Sequence, residues 1–471
     1  MKHIKQLFFF LMFFTLIGCE DILEPEPIGI ARFDAATAIT NLDDAELALI
    51  GAYDGLQTQI ISNAVEYDYY GVSFAVAGDL IADNLLATTT FTSYTNIDNL
   101  DATSDNITTE RIWNAMYQVI NRANNIIERA ASIDGANSII AEAKFLRALA
   151  YFDLVRTYAL PPTSSVGSPT KDLGVPIVLQ PIEGPGDLQT IGRNTVSEVY
   201  AQVVADLQSA AADLPDANAD GRANKWAATA LLARAYLYMG QYAQATSTAE
   251  SVINSGNFAL NGNFSNNFVT EFSGESIFEI DFGPALADDN VLARDLFDSN
   301  QGALQRFTPT QSIYNAFEAG DSRLTATLGN TDIPYTVADA FVKKYFRLSS
   351  NDDNFIVSRL AEMYLIVAEA DAQANSALTD KALTALNTLR ERAFGDSNHN
   401  YGSGMDLTTF LAAVANERRV ELAFENHRSF DLLRTNQVAA TTGDNPLRYI
   451  FPIPIRELQI NGDVMVQNEG Y

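Results

Sequence analysis

Cysteine is nearly missing from this sequence: Cys19 is the only one, so no disulfide can form within the chain. Histidine is almost as scarce, with His3, His399 and His427 the whole complement. No HExxH, CxxC, GxSxG or glycine-rich phosphate loop occurs. The ligands of a transition-metal centre and the setting of a hydrolytic nucleophile are therefore lacking. Basic residues are outnumbered, 30 against 59 acidic, for a formal charge of −29. A field of that sign opposes general nucleic-acid binding, which needs cations facing phosphates. It suits solubility at a saline surface. Past the first segment of the chain, no apolar run approaches the ~20 residues of a membrane-spanning helix.

What is present begins with Lys2 and Lys5, an apolar run from Leu7 to Ile17, and then Cys19. A short positive region followed by a short apolar one is an export signal. Leu16-Ile17-Gly18-Cys19 has the form of a lipobox, in which the cysteine becomes acylated and N-terminal. The expectation is a signal peptide over 1–18, lipidation at Cys19, and a proline-bearing tether over 19–40. Membrane association is then through the lipid anchor alone.

Helical periodicity dominates the rest. AEAKFLRALAYFDLVRTY (Ala141 to Tyr158) sets Phe145, Leu149 and Phe152 on one face, with Leu146 and Val155 beside them. In Asn224 to Ile253, the spacing of Leu232, Ala233, Tyr236, Gly240, Tyr242 and Ala245 fits a tetratricopeptide repeat. Further helices are expected from Arg111, over Arg359 to Arg390, and over Phe410 to Arg434. The predicted fold is mainly α: a solenoid of helical pairs carrying an inserted, loop-rich binding subdomain. Helical repeats are expected over 41–255 and 355–436. The loop-rich segment takes 256–354, with short strands around Ser276 to Phe282, and an extended strap takes 437–471.

Several blocks in order resemble the SusD/RagB family. They are the lipobox at Cys19, AEAKFLRALAYFDLVRTY, GVPIVL at Gly174 to Leu179 and GRANKWAATALLARAYLY at Gly221 to Tyr238. ESIFEI at Glu275 to Ile280, SRLAEMYLIVAEA at Ser358 to Ala370, ERRVELAFENHRSFDLLR at Glu417 to Arg434, FPIP at Phe451 to Pro454 and a closing QNEGY follow. The resemblance implies an outer-membrane, surface-exposed lipoprotein that captures a polysaccharide or oligosaccharide. It also implies a partner, a SusC-type TonB-dependent transporter, for which the lipoprotein acts as lid. A peptide-capturing lid of the RagB branch is the alternative.

Catalysis is not expected. Glu417, Glu421 and Glu425 share a helix face, and paired carboxylates could serve a glycosidase. Arginines 418, 419, 428 and 434 stand around them, which favours ionised carboxylates and an ion-paired framework. His427 is expected to satisfy a local hydrogen bond there. Asp216, Asn218 and Asp220 match the first half of a calcium loop, but Ala227 stands where the bidentate glutamate belongs, so calcium is the one possible cofactor.

Trp113 and Trp226 fall inside helices, which leaves Tyr and Phe as the sugar platforms. Two clusters lie outside the regular helices. Tyr67, Tyr70, Phe91 and Tyr94 accompany Asp83 and Asn84; Phe282 and Phe297 accompany Asn290. No Lys or Arg occurs between Arg32 and Arg111, and none between Asn254 and Arg294. An anionic glycan would lose hydration there without meeting a cation, so a neutral glycan is favoured. Arg294, Arg306, Lys343 and Lys344 are the cations that folding could bring over the site.

Overall fold

The helices start where the sequence supplies side-chain caps. Asn41, Asn106, Asn224, Thr379 and Asp406 each accept from backbone N–H groups of the first turn. Thr195 and Glu198 form a reciprocal capping box. The resulting framework comprises α1 (Leu42–Asp54), α2 (Ser73–Leu80), α3 (Ile107–Arg129) and α4 (Asn137–Tyr158). It continues with α5 (Val196–Asp213), α6 (Lys225–Tyr238), α7 (Tyr242–Ile253), α8 (Leu360–Asn375), α9 (Asp380–Phe394), α10 (Leu407–Glu421) and α11 (Arg428–Arg434). Shorter helical turns lie between them. This computed structural model describes residues 38–471 except 62–63, 183, 185–186, 188, 284–290 and 333, and leaves the side chains of 58–67 undescribed. The expectations at Cys19 and Asn290, and for the side chain of Tyr67, fall outside the described residues.

From α3 to α9, each of these helices packs on the next, while α1 rests on α3 and α10 on α8. That is the neighbour-on-neighbour logic of a repeat solenoid. Gly240 turns α6 into α7 with φ +68°, and a Cβ there would meet the Thr163 methyl at 3.2 Å. Ile39–Tyr471 forms one compact unit, so the loop-rich segment and the helical repeats share a core.

The α4 helix differs from its expected single apolar stripe. From Phe145 to Tyr158 all its residues are buried, on every face. It is the central helix, and its charges are paired to match: Arg147 with Asp206 at 2.8 Å, Arg156 with Asp153 at 2.8 Å, and Glu142 with Arg222 at 2.6 Å.

The strands are short and pair in twos. β1 (Thr58–Ile61) pairs with β2 (Ala64–Asp68), and β3 (Leu85–Ala87) with β5 (Phe307–Pro309). β4 (Ser276–Ile280), at the strand expected near Ser276, pairs with β8 (Phe355–Arg359). β6 (Leu328–Gly329) pairs with β7 (Phe341–Val342). β8 runs straight into α8.

Candidate functional site

Glu417, Glu421 and Glu425 are buried, and the cations they meet are other than those expected. Arg359 reaches Glu275 at 2.9 Å, Glu421 at 2.5 Å and Glu425 at 2.8 Å. Arg323 holds Glu417 at 2.6 Å and Glu421 at 2.8 Å; Arg392 binds Glu275 and Glu421. Lys344 holds Glu425 at 2.6 Å, and Arg390 holds Glu417 at 3.0 Å. The arginines of the block itself point elsewhere: Arg418 to Asp431, Arg419 and Arg428 to Asp83, and Arg434 to Glu369. The ion-paired framework is there, but its cations come from β8, α9 and the loop-rich segment, which proximity in sequence could not reveal.

Burial alone would raise Glu421, yet the guanidiniums of Arg392, Arg359 and Arg323 outweigh it and hold its carboxyl well below the usual range. Burial likewise opposes ionisation of Glu425, and Arg359 and Lys344 overcome it. A glycosidase general acid must keep its proton near neutral pH; these two carboxyls give it up. His427 corrects a further expectation. It is 5% exposed, but its Nδ1 has no hydrogen-bond partner among the described residues.

β3, between Asn84 and Phe91, pairs with β5, ten residues past Phe297. Leu86 stands opposite Thr308 and Ala87 opposite Phe307. Just beyond, the Thr88 N–H donates to the Arg306 carbonyl at 2.8 Å. Phe91 is 53% exposed, and the Arg306 guanidinium lies 4.6 Å from its ring centre. Arg294 and Arg306 share one buried carboxylate, Asp295, at 3.0 and 3.1 Å. Phe297, half-buried, sets its ring edge-on to Phe341 at 5.2 Å. Leu86, on β3, and Leu304, ahead of β5, are exposed. Phe91 is therefore a ring more than half exposed, with the Arg306 guanidinium against it.

This geometry removes the premise for a neutral ligand. The first cluster is cation-free in sequence, but pairing of β3 with β5 brings Arg306 onto Phe91. Lys344 is not part of that field, being buried against Glu425, and Lys343 donates to the Thr325 carbonyl.

The other expected platforms lie deeper. Tyr70 is 1% exposed, and its hydroxyl donates to Asp153 at 2.5 Å, so it is a core residue with no face for a sugar. Phe282 is equally buried. Tyr94 forms the floor beneath the ribbon: its hydroxyl meets Ser73 at 2.8 Å and its ring stands edge-on to Phe307 at 5.1 Å. Asp83 is held by Arg428 at 2.6 Å and Arg419 at 2.9 Å. Asn84 donates to Asp79 at 2.7 Å and accepts from Arg419 at 2.9 Å. Both polar residues are engaged in framework bonds rather than facing the Phe91 ring.

Sequence reasoning missed the stacked pair Tyr314–Tyr335, whose ring centres are 4.1 Å apart beside β5. Tyr314 sits in the short helix Gln311–Ala316 and Tyr335 in a loop further along, and no periodicity links them. The side chains of the calcium half-loop make local contacts. Asp216 lies 3.6 Å from Lys225, and the Asn218 oxygen accepts from Ala219, so two of the three oxygen donors are engaged. Among the described residues no group of three or more His, Cys, Asp or Glu could hold a metal ion.

A helical-repeat framework thus carries a loop-rich segment whose β5 pairs with β3 beside the exposed Phe91. Residues 56–237 match the SusD-like family described as "Starch-binding associating with outer membrane", and 335–445 match the SusD/RagB family. The chain belongs to the SusD/RagB family, whose members are binding proteins rather than enzymes. SusD-like protein P2 of Formosa agariphila is 28% identical over 537 aligned residues, covering all of both chains. A SusD superfamily structure from Bacteroides thetaiotaomicron superposes with TM-score 0.76 at 26% identity, over 91% of this chain and all of that one. A laminarin binding SusD-like protein superposes with TM-score 0.75 at 25% identity, over 92% of this chain and all of that one. No helix among the described residues is long and apolar enough to cross a membrane.

Proposed function

We propose that this protein captures a glycan at the cell surface on the Phe91–Arg306 face and serves as lid for a SusC-type TonB-dependent transporter. The observation that carries the site is Phe91, an aromatic ring more than half exposed beside a guanidinium. A pyranose ring stacks on such a face while its hydroxyls accept from Arg306 and Arg294. The relatives named for starch and laminarin support a glycan over a peptide. A second reading, an acidic or sulfated glycan, is favoured by one feature: two guanidiniums share the single Asp295 carboxylate.

Calorimetric titration with laminarin, alginate and a sulfated galactan tests both readings. The Phe91→Ala variant is expected to lose about 1–3 kcal/mol of binding, by analogy with stacking of aromatic side chains on bases. The bound glycan should be recovered at unchanged chain length. Unchanged affinity in Phe91→Ala would move the site elsewhere. Binding confined to the anionic chains and weakened in Arg306→Gln would establish the second reading.

The anchor and the partner belong to the same proposal. Wild-type cells fed a clickable fatty acid should yield labelled protein, and mild detergent should release it together with a large β-barrel. Cys19→Ala is expected to abolish the label. Label retained in that variant would refute lipidation at Cys19, and recovery of the wild-type protein alone would refute the lid.

A further inference from the structure

Several buried polar atoms near the turn between α10 and α11 lack partners. Arg418 is 1% exposed. Its Nε donates to Asp431 at 3.1 Å, but among the described residues neither Nη1 nor Nη2 has a hydrogen-bond partner. His427 Nδ1, close by in the chain, lacks one as well. Both side chains line a small cavity with Asn84, Arg419, Arg428 and Asp431, and it has room for about one water-sized occupant.

The lining is unbalanced in charge and in hydrogen-bond type. Three guanidiniums face one carboxylate. Asp83 offsets Arg419 and Arg428, at 2.9 and 2.6 Å, but Asp431 is divided between Arg418 and Arg434. Asn84 already accepts from Arg419 through its only oxygen acceptor. Burial, with Arg234, Arg418 and Arg156 around it, holds His427 well below its ordinary pKa, so it stays neutral. A guanidinium offers only donors, and buried donors left unmet are costly. With its proton on Nδ1, neutral His427 presents one more donor, and a water molecule would bring two hydrogens of its own to a space poor in acceptors. A monoatomic anion only accepts, and it supplies the charge the lining lacks.

We propose that this cavity binds a single halide-sized anion, chloride in the cell's surroundings, with Arg418 as its principal ligand. Asn84 enters β3 directly, so the bound anion braces the base of the β3–β5 ribbon against α10.

Wild-type crystals soaked in bromide are expected to show an anomalous peak within hydrogen-bond reach of Arg418 Nη1 and Nη2. In solution, raising chloride from about 5 to about 500 mM against gluconate at fixed ionic strength is expected to raise the melting temperature by roughly 3 °C. Arg418→Lys should lose most of that shift. A bromide map without that peak, or equal melting in chloride and gluconate, overturns the proposal. Both readouts use the wild-type chain, so they decide the matter even if Arg418→Lys does not fold. Glycan titration is a separate measurement, so failure at the Phe91 face and failure here are distinguishable.

Discussion

Replacing Arg359 with Met is expected to destabilise the protein by about 3–5 kcal/mol, because it breaks a buried ion network by removing one partner. Arg359 is 1% exposed and sits where β8 becomes α8, holding Glu275, Glu421 and Glu425 together. Without it, among the described residues Glu425 keeps only Lys344 as a paired cation, and Glu275 keeps only Arg392. The carboxylates stay in a medium that repays their lost hydration only through paired charge. Lys381→Met provides the contrast. Its ion pair with Glu250 is as short, 2.9 Å, but the lysine side chain is 47% exposed. Solvent screens such a pair, and less than about 1 kcal/mol is expected. Urea unfolding of the two variants checks the pair of numbers, and equal losses would contradict the account.

Stability is expected to peak near about pH 4 and to fall on both sides. Asp79 has no exposed surface, and burial pushes its carboxyl up to about 6, beyond what the bonds from Asn84, Phe424 and Asn426 can offset. Asp353 is raised to about 6 in the same way, despite N–H bonds from Arg347 and Phe346. Their unfolded value is 3.8. For a raised carboxyl the contribution is full below the unfolded pKa and disappears as pH climbs through the folded one. Each carries about 1–3 kcal/mol on the alkaline side. Glu421 and Glu425 have the opposite sign, since both are held below their unfolded value of 4.5. Their contribution is present above that value and is lost as pH falls through the folded one. Melting temperatures from about pH 3 to about pH 8 should trace the resulting dome. Asp79→Asn should flatten its alkaline side. A steady rise from acid to alkaline pH would show that the buried aspartates carry no such linkage.

The helical framework was legible because local signals suffice for it. Asn224, Gly240 and the Leu232–Ala245 spacing each specify a start, a turn or a packing face within a few residues, and α6 and α7 form as they dictate. The site was legible only in part, because its geometry is made by long-range pairing. Phe91 and Arg306 are both visible as residues, but nothing within either segment says that β3 finds β5. Tyr70 shows the other failure. A tyrosine beside aspartates outside a long helix has the composition of a sugar platform. Whether its ring faces outward is settled by Asp153, on α4, which accepts from its hydroxyl. The charged block failed the same way: its own arginines are near in sequence, but the carboxylates are satisfied from β8, α9 and the loop-rich segment.

The β4–β8 ribbon has the form of a stem. Ile280 and Phe355 are paired Cα partners, so the chain leaves the core and returns to it at nearly one point. The stretch between them is a loop closed at that junction and tied to the core again through β5, Arg323 and Lys344, and lengthening a closed loop costs only logarithmically in entropy. This stretch can therefore vary in length without disturbing the helices, provided the two ends still meet beside Glu275 and Arg359 and its Arg323 and Lys344 still reach Glu417, Glu421 and Glu425. The same junction is a natural seam for building chimaeras, in which a graft that keeps Arg323 and Lys344 leaves the buried carboxylates paired.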